Sequence, residues 1–322
     1  MPPERSAGPP CVVAVLRAVG DRHVAAIEAV DPRVRVVRVT DRTRWLEEAP
    51  ETEIIMGFRP LRAGAVGSRH LRWVQALGAG VENLCQDVAG TDIRVTNNHV
   101  HGEAIAEHVF GFILTHTRRL WEARDRQAAR RWVHDELRGA VLAGGTMGIL
   151  GLGTIGVQVA RRAAAFGMRV VGTVRRPRQI PGVERVYPPD EIDAVLREAA
   201  VLVIALPLTP ATRGSVGARE LAALPEGAFL VNIGRGGLVD EGALLAALRA
   251  GRLGGAGLDV FDTEPLPADS PLWAAPRLII TPHVAGDFPG YMDRIIPLFC
   301  ENLRRYLGGQ PLLNMVDPIL GY

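Results

Sequence analysis

Along the chain, apolar residues first gather in short, β-branched runs: CVVAVLR (11–17), VRVVRVT (34–40), EIIMGF (53–58) and LRWVQAL (71–77). Polar or helix-period stretches separate them, which predicts a first, smaller α/β unit. Residues 103–126, EAIAEHVFGFILTHTRRLWEARDR, change period. Apolar positions recur there at three and four, and Gly111 is the only Gly or Pro, so the stretch predicts one long helix joining two units. Strand-like runs then resume at TMGILGLG (146–153), MRVVGTV (168–174), AAVLVIALP (199–207), GAFLVNIG (227–234), GAGLDVF (255–261) and PRLIITP (276–282). Helical patterns such as GVQVARRAAAF and EGALLAALRAG lie between them. Apolar strands alternating with helices predict an α/β fold whose parallel sheet is covered on both faces. A last helix, about Tyr291 to Leu307, is expected to return to the first unit. The expected division gives residues 1–99 and 287–322 to the first domain and 100–286 to the second.

The length of 322 residues supports this two-core reading, because a single core rarely grows so large. A formal net charge of +2 offers no nucleic acid or membrane surface an electrostatic reason to bind, and a small metabolite is expected instead. Cys11, Cys85 and Cys300 are odd in number and far apart, which predicts no disulfide framework and suits a reducing cytoplasm. MPPERSAGPP has no apolar core, and no run of about 18 apolar residues occurs, so neither export nor membrane anchoring is expected. The sequence contains no lysine: every one of the 37 basic residues is arginine. Schiff-base chemistry and a Walker lysine are therefore excluded, leaving His, carboxylates and guanidinium groups.

GLGTIG puts Gly151, Gly153 and Gly156 in G-x-G-x-x-G spacing, with Thr154 and Ile155 between, directly after a strand and before a helix. That context predicts a Rossmann-type site in which the helix N-terminus and backbone N–H groups take a dinucleotide pyrophosphate. An NAD site should carry an acidic residue at the end of the next strand. Val174 stands there, followed by Arg175 and Arg176. Guanidinium groups bind a 2′-phosphate that a carboxylate would repel, so NADPH/NADP is expected as the preferred cofactor over NADH/NAD.

GILGLGTIG, ALPLTPATRG, LVNIGRGGLVDEGAL, GLDVFDTEPLP and TPHVAG, in this order, resemble the D-isomer-specific 2-hydroxyacid dehydrogenase family over nearly the whole chain. LGAGVENL (77–84) and the paired arginines make it most similar to the NADPH-preferring glyoxylate/hydroxypyruvate reductases. The resemblance implies a flavodoxin-like fold for the substrate domain, and reduction of a small 2-keto acid to a D-2-hydroxy acid. It implies His283 as the acid/base, Glu264 as its carboxylate partner and Arg235 as the substrate clamp. A carboxylate so placed favours the imidazolium and fixes the ring, and an arginine grips the substrate carboxylate bidentately.

By the same resemblance Asp259 bonds the nicotinamide carboxamide, while Leu206, Pro207, Ile233 and Gly234 line the cofactor groove. Ala79, Gly80 and Val81 match a loop whose N–H groups bind the substrate carboxylate, with glycines at 78 and 80 permitting a tight turn. Arg59 is a further candidate for reading the substrate side group. His99, His101 and His108 lie near one another in sequence, but no carboxylate or Cys pattern completes a metal set, and no metal is expected. Trp121 and Trp132 are expected at the two-fold interface of a homodimer formed through the cofactor domain. Two other functions resemble this scaffold: a catalytically silent, corepressor-like NAD(H) sensor and a phosphite-type dehydrogenase. GDFPGYM (286–292) departs from the small polar residues usual in the family after the histidine, which sets a plain glyoxylate substrate in question.

Overall fold

In the computed structural model, which describes residues 9–41, 44–57 and 69–317, the apolar runs become the strands of two parallel sheets. The chain divides into two compact units, Met1–Val100 with Phe288–Tyr322, and His101–Asp287. In the first, β1 (Cys11–Val15), α1 (Asp21–Glu28), β2 (Val34–Arg38), α2 (Trp45–Glu48), β3 (Ile54–Met56), β4 (Trp73–Gln75), α3 (Glu82–Asp87) and β5 (Arg94–Thr96) follow one another. The five strands pair in parallel in the order β2-β1-β3-β4-β5. Every residue of β1 is buried, as a strand covered on both faces requires. Its alternation sends Val13 and Val15 into one apolar layer with Trp73 and Phe299, and Ala14 into another with Ile55 and Val74.

The second unit contains α4 (Gly102–Thr117), α5 (Leu120–Ala128), β6 (Thr146–Leu150), α6 (Thr154–Ala165), β7 (Arg169–Thr173), β8 (Arg185–Tyr187), α7 (Ile192–Leu196), β9 (Val201–Ile204), α8 (Ala218–Ala223), β10 (Phe229–Asn232), α9 (Glu241–Arg249), β11 (Gly255–Leu258) and β12 (Leu278–Ile280). Its seven strands are all parallel, in the order β12-β11-β10-β9-β6-β7-β8. The chain winds outward from β6 through β7 and β8, then returns to the other side of β6 at β9. That reversal makes a doubly wound sheet with its switch point between β6 and β9. The last helix, α10 (Tyr291–Leu307), belongs to the first unit and buries Ile295, Phe299 and Leu303 in its core.

Three elements differ from the sequence pattern. The stretch expected as one helix is two, α4 and α5, with Arg119 at φ 54° between them. The break has a tertiary cause: the Ala140 N–H bonds the Thr117 carbonyl at 2.8 Å, and a Cβ on Gly139 would lie 2.6 Å from that same oxygen. A distant segment thus caps α4 where local periodicity would continue it. The others are β5 and β8, three-residue edge strands whose RVT and RVY carry no apolar run to announce them.

Candidate active site

The turn after β6 is built by three glycines with three different tasks. Gly151 has φ 99°, and a Cβ there would sit 2.7 Å from the Ala205 carbonyl oxygen, so only glycine fits between the β6 and β9 ends. At Gly156 a Cβ would meet the Gly151 oxygen at 2.1 Å, which is how closely α6 packs on the turn. Gly153 instead has open space for 4 Å around its missing Cβ and caps α6. Thr154 is exposed and Ile155 half-buried in that first helical turn. The first N–H groups of α6 have no intrahelical carbonyl to bond and point toward this opening. The Gly151 N–H is anchored to the Thr173 hydroxyl at the end of β7 (3.3 Å). Crowding at Gly151 and Gly156 with clearance at Gly153 fits a dinucleotide pyrophosphate. Beyond Thr173, Val174 is half-buried and Arg175 and Arg176 are exposed.

Three neighbouring strands, β10, β11 and β12, end in register, with Asn232 opposite Leu258 and Leu258 opposite Ile280. Their following loops carry the polar set. Asn232, 1% exposed, donates from Nδ2 to the Arg235 carbonyl (2.9 Å) and accepts the Gly234 N–H (3.0 Å), folding the loop back on its own strand. Arg235 is half-buried and donates from Nη1 to the Gly234 carbonyl (2.6 Å). A Cβ on Gly234 would lie 2.8 Å from the Leu206 oxygen, and one on Gly236 would lie 2.0 Å from the Phe261 carbonyl carbon. The loop that presents Arg235 is therefore wedged between the backbones that follow β9 and β11. Leu206 and Pro207 are half-buried beside it, and Ile233 packs into the core.

Glu264 and His283 meet next to that wedge. Glu264 Oε1 accepts the Phe261 N–H (3.1 Å), and Oε2 lies 2.8 Å from His283 Nδ1. An ionised carboxylate only accepts, so Nδ1 donates and Nε2 is the outward nitrogen. The His283 side chain is 48% exposed and makes no other hydrogen bond among the described residues. Nearby, burial pushes the carboxyls of Glu241 and Asp262 above their ordinary range, with Arg213 opposing it at Asp262.

His283 has φ 57°, a left-handed conformation that costs a non-glycine residue about 1–2 kcal/mol. Asp259 offsets this. Its side chain is 3% exposed, and its two oxygens accept the Thr281 hydroxyl (2.6 Å), the Val284 N–H (2.9 Å) and the Ala285 N–H (2.9 Å). Hydrogen bonds to a charged group contribute roughly 1.5–3 kcal/mol each, so three of them exceed the backbone strain. Asn232 and Thr281 are the residues sequence reasoning missed. The only signal for either was its place at a strand end beside a candidate residue.

In the first unit, the carbonyls of residues 77–79, which lead into the Ala79–Val81 turn, are tied down from outside. Asn97 Nδ2 donates to the Ala79 carbonyl (3.0 Å), the Asn98 N–H to that of Gly78 (3.3 Å), and the Tyr291 hydroxyl to that of Leu77. Neither Gly78 nor Gly80 is left-handed, so the turn does not depend on glycine in the way its spacing suggests. Arg59 lies outside the described residues. His108 Nε2 bonds the Thr281 hydroxyl (3.0 Å), His101 is buried at the start of α4, and burial pushes His99 below its ordinary value. Trp121 and Trp132 are exposed, the latter at 95%. No helix among the described residues is long and apolar enough to cross a membrane.

Comparison with known proteins places the chain in a family. The family model described as D-isomer specific 2-hydroxyacid dehydrogenase, NAD binding domain, matches residues 110–285. Glyoxylate/hydroxypyruvate reductase A of Serratia proteamaculans is 34% identical over 275 residues, 82% of this chain and 86% of that protein. D-3-phosphoglycerate dehydrogenase of Methanocaldococcus jannaschii is 30% identical over 306 residues, 92% of this chain but 58% of that protein. The chain spans about half the length of the phosphoglycerate dehydrogenases it matches. Among solved structures, a D-isomer specific 2-hydroxyacid dehydrogenase from Xanthobacter autotrophicus Py2, in complex with NADPH and MES, superposes with a TM-score of 0.84 at 33% identity, covering 98% of this chain and 100% of that one.

Proposed function

Because the chain belongs to the D-isomer specific 2-hydroxyacid dehydrogenase family, we propose that it is an oxidoreductase that reduces a small 2-keto acid to the D-2-hydroxy acid, glyoxylate- or hydroxypyruvate-like, with NADPH preferred. The observation that carries the proposal is the His283–Glu264 pair: one ring nitrogen held at 2.8 Å, the other left to a ligand. A bound reduced nicotinamide supplies a hydride to the carbonyl carbon. His283, as imidazolium, gives its Nε2 proton to the carbonyl oxygen, and Glu264 stays ionised to stabilise the cation and hold the ring plane. The proton is restored from solvent. Arg235 clamps the substrate carboxylate and polarises the carbonyl through a planar pair of N–H donors. Within the first unit, the Ala79, Gly80 and Val81 N–H groups form a candidate carboxylate-binding turn, and Asp259 is assigned to the nicotinamide carboxamide.

Arg175 and Arg176 support the NADPH preference, since they follow β7 where an NAD site would carry an acid. The NADPH bound by the Xanthobacter protein is consistent with it. We extend the same reading to a homodimer formed through the second unit, for which exposed Leu120, Trp121, Trp132 and Val141 offer apolar surface.

A panel of 2-keto acids, including a 3-phosphorylated one, assayed by loss of NADPH absorbance tests the proposal. His283→Ala should lower kcat by about 10²–10⁴ while NADPH still binds. Unchanged turnover in that variant refutes the proton-donor role. NADPH binding without turnover of any keto acid turns the reading to a nucleotide sensor, and phosphite-dependent formation of NADPH turns it to a phosphite dehydrogenase.

A further inference from the structure

We infer that Asn97 is a positioning residue for the carboxylate-binding turn, and that Asn314, on the strap that follows α10, holds Asn97 in place. The inference rests on the reductase reading of that turn. Four successive carbonyls lead into it, and each is taken by a donor of the same unit. Ala76 accepts from Gln75 Nε2 (2.9 Å) and Asn98 Nδ2 (3.2 Å), Leu77 from the Tyr291 hydroxyl, Gly78 from the Asn98 N–H (3.3 Å) and Ala79 from Asn97 Nδ2 (3.0 Å). In a trans peptide the carbonyl of one residue and the N–H of the next point in opposite directions. Holding the Gly78 and Ala79 oxygens therefore turns the N–H groups of Ala79 and Gly80 the other way. Neither N–H donates to an acceptor among the described residues. Since Gly78 and Gly80 are not left-handed, the anchors rather than glycine geometry set the turn.

Asn97 is itself fixed from two elements. Its N–H donates to the Asn314 carbonyl (3.1 Å), while its own carbonyl accepts Gln75 Nε2 (3.2 Å) and Asn314 Nδ2 (3.4 Å). Behind it Gln75, wholly buried on β4, accepts at Oε1 from the Thr96 hydroxyl (2.8 Å) and from Asn302 Nδ2 on α10 (3.4 Å). The strap is pinned on both sides of Asn314: the Leu313 N–H donates to Asn302 Oδ1 (2.7 Å), and the Val316 N–H to the Val95 carbonyl (2.9 Å). Asn314 has φ 53°, a conformation that asparagine tolerates and a β-branched residue rarely adopts. A buried chain of amides thus runs from α10 through β4 and the strap to the turn.

The test uses Asn97→Ala, Asn314→Val and Asn314→Gly in the full chain, with thermal melts to check folding. Loss of one N–H contact to a charged group should raise the KM of the best keto acid about tenfold in Asn97→Ala. The kcat at saturation and the NADPH Kd should stay unchanged, because a carboxylate contact is shared by ground and transition states. Asn314→Val should shift KM in the same direction, and Asn314→Gly, which adopts φ 53° freely, should restore it. Amide hydrogen exchange at Asn98, whose N–H is bonded to the Gly78 carbonyl, should accelerate in Asn97→Ala and Asn314→Val. An unchanged KM or a fall in kcat alone overturns the inference, as does unaltered exchange at Asn98. If the unmodified protein reduces no keto acid, the reductase reading fails, and the exchange rates alone decide whether Asn97 holds the turn.

Discussion

Replacing Gly236 by alanine should disable the site without unfolding the protein. A Cβ at this position would lie 2.0 Å from the Phe261 carbonyl carbon, 2.1 Å from its oxygen and 2.3 Å from the Asp262 nitrogen. All three are backbone atoms, so no rotamer change relieves the clash. Reaching an ordinary contact requires the two loops to part by roughly 1.4 Å. The residue preceding Gly236 is Arg235, and Phe261 holds Glu264 through its N–H at 3.1 Å. The displacement therefore falls between the clamp and the carboxylate that orients His283. Overpacking costs about 1–3 kcal/mol of stability, while a misplacement of this size costs about 100-fold in turnover. Gly237→Ala is the control. Its Cβ would meet the far end of Arg213 at 2.8 Å and leucine methyls from 3.4 Å, all able to move. Steady-state kinetics with NADPH and the best keto acid, alongside thermal melts, should show Gly236→Ala folded but nearly inactive and Gly237→Ala close to unmodified. If Gly236→Ala keeps more than about a third of kcat/KM, or if Gly237→Ala loses as much, the wedge does not set the spacing of the site.

Arg175→Ala combined with Arg176→Ala should raise the KM for NADPH about tenfold or more and leave that for NADH nearly unchanged, since charge-assisted bonds to a 2′-phosphate are lost; an unaltered NADPH to NADH preference refutes the assignment. Stability should fall on acidification because of His116. Its ring stacks on Phe229 with centroids 4.4 Å apart, and burial, helped by Arg277, pushes it below its ordinary value of 6.5. A group depressed in the fold is neutral there but takes a proton when unfolded, so the stability it confers is complete above about 6.5 and is lost as pH falls toward its folded value. Thermal midpoints between pH 7 and 5 should drop less steeply in His116→Phe; an identical slope removes His116 as the cause.

Much of this was readable from residue order. The strands of a parallel sheet are buried on both faces, so runs such as VLVIALP and FLVNIG announce themselves, and Gly151 and Gly156 of GLGTIG mark their turn because steric demand leaves no other residue. His283, Glu264 and Arg235 each carried a motif. What sequence could not reveal depends on contacts between distant segments. The break at Arg119 is imposed by residues 139 and 140, far from the helix it ends. Asp259 offers a second example: in GLDVF its neighbours say nothing of Thr281, Val284 and Ala285, which engage it 22 to 26 positions later. Gly78 and Gly80 carry no positive φ, so the turn that they permit is made without a left-handed residue at either position.

That Arg235, Glu264 and His283 all issue from consecutive strands of one sheet has a practical corollary for protein engineering. Random libraries that spare residues 232–236, 258–264 and 280–285 leave the spacing of these three groups untouched. Directed evolution can then vary the rest of the polypeptide while the trio is inherited unchanged.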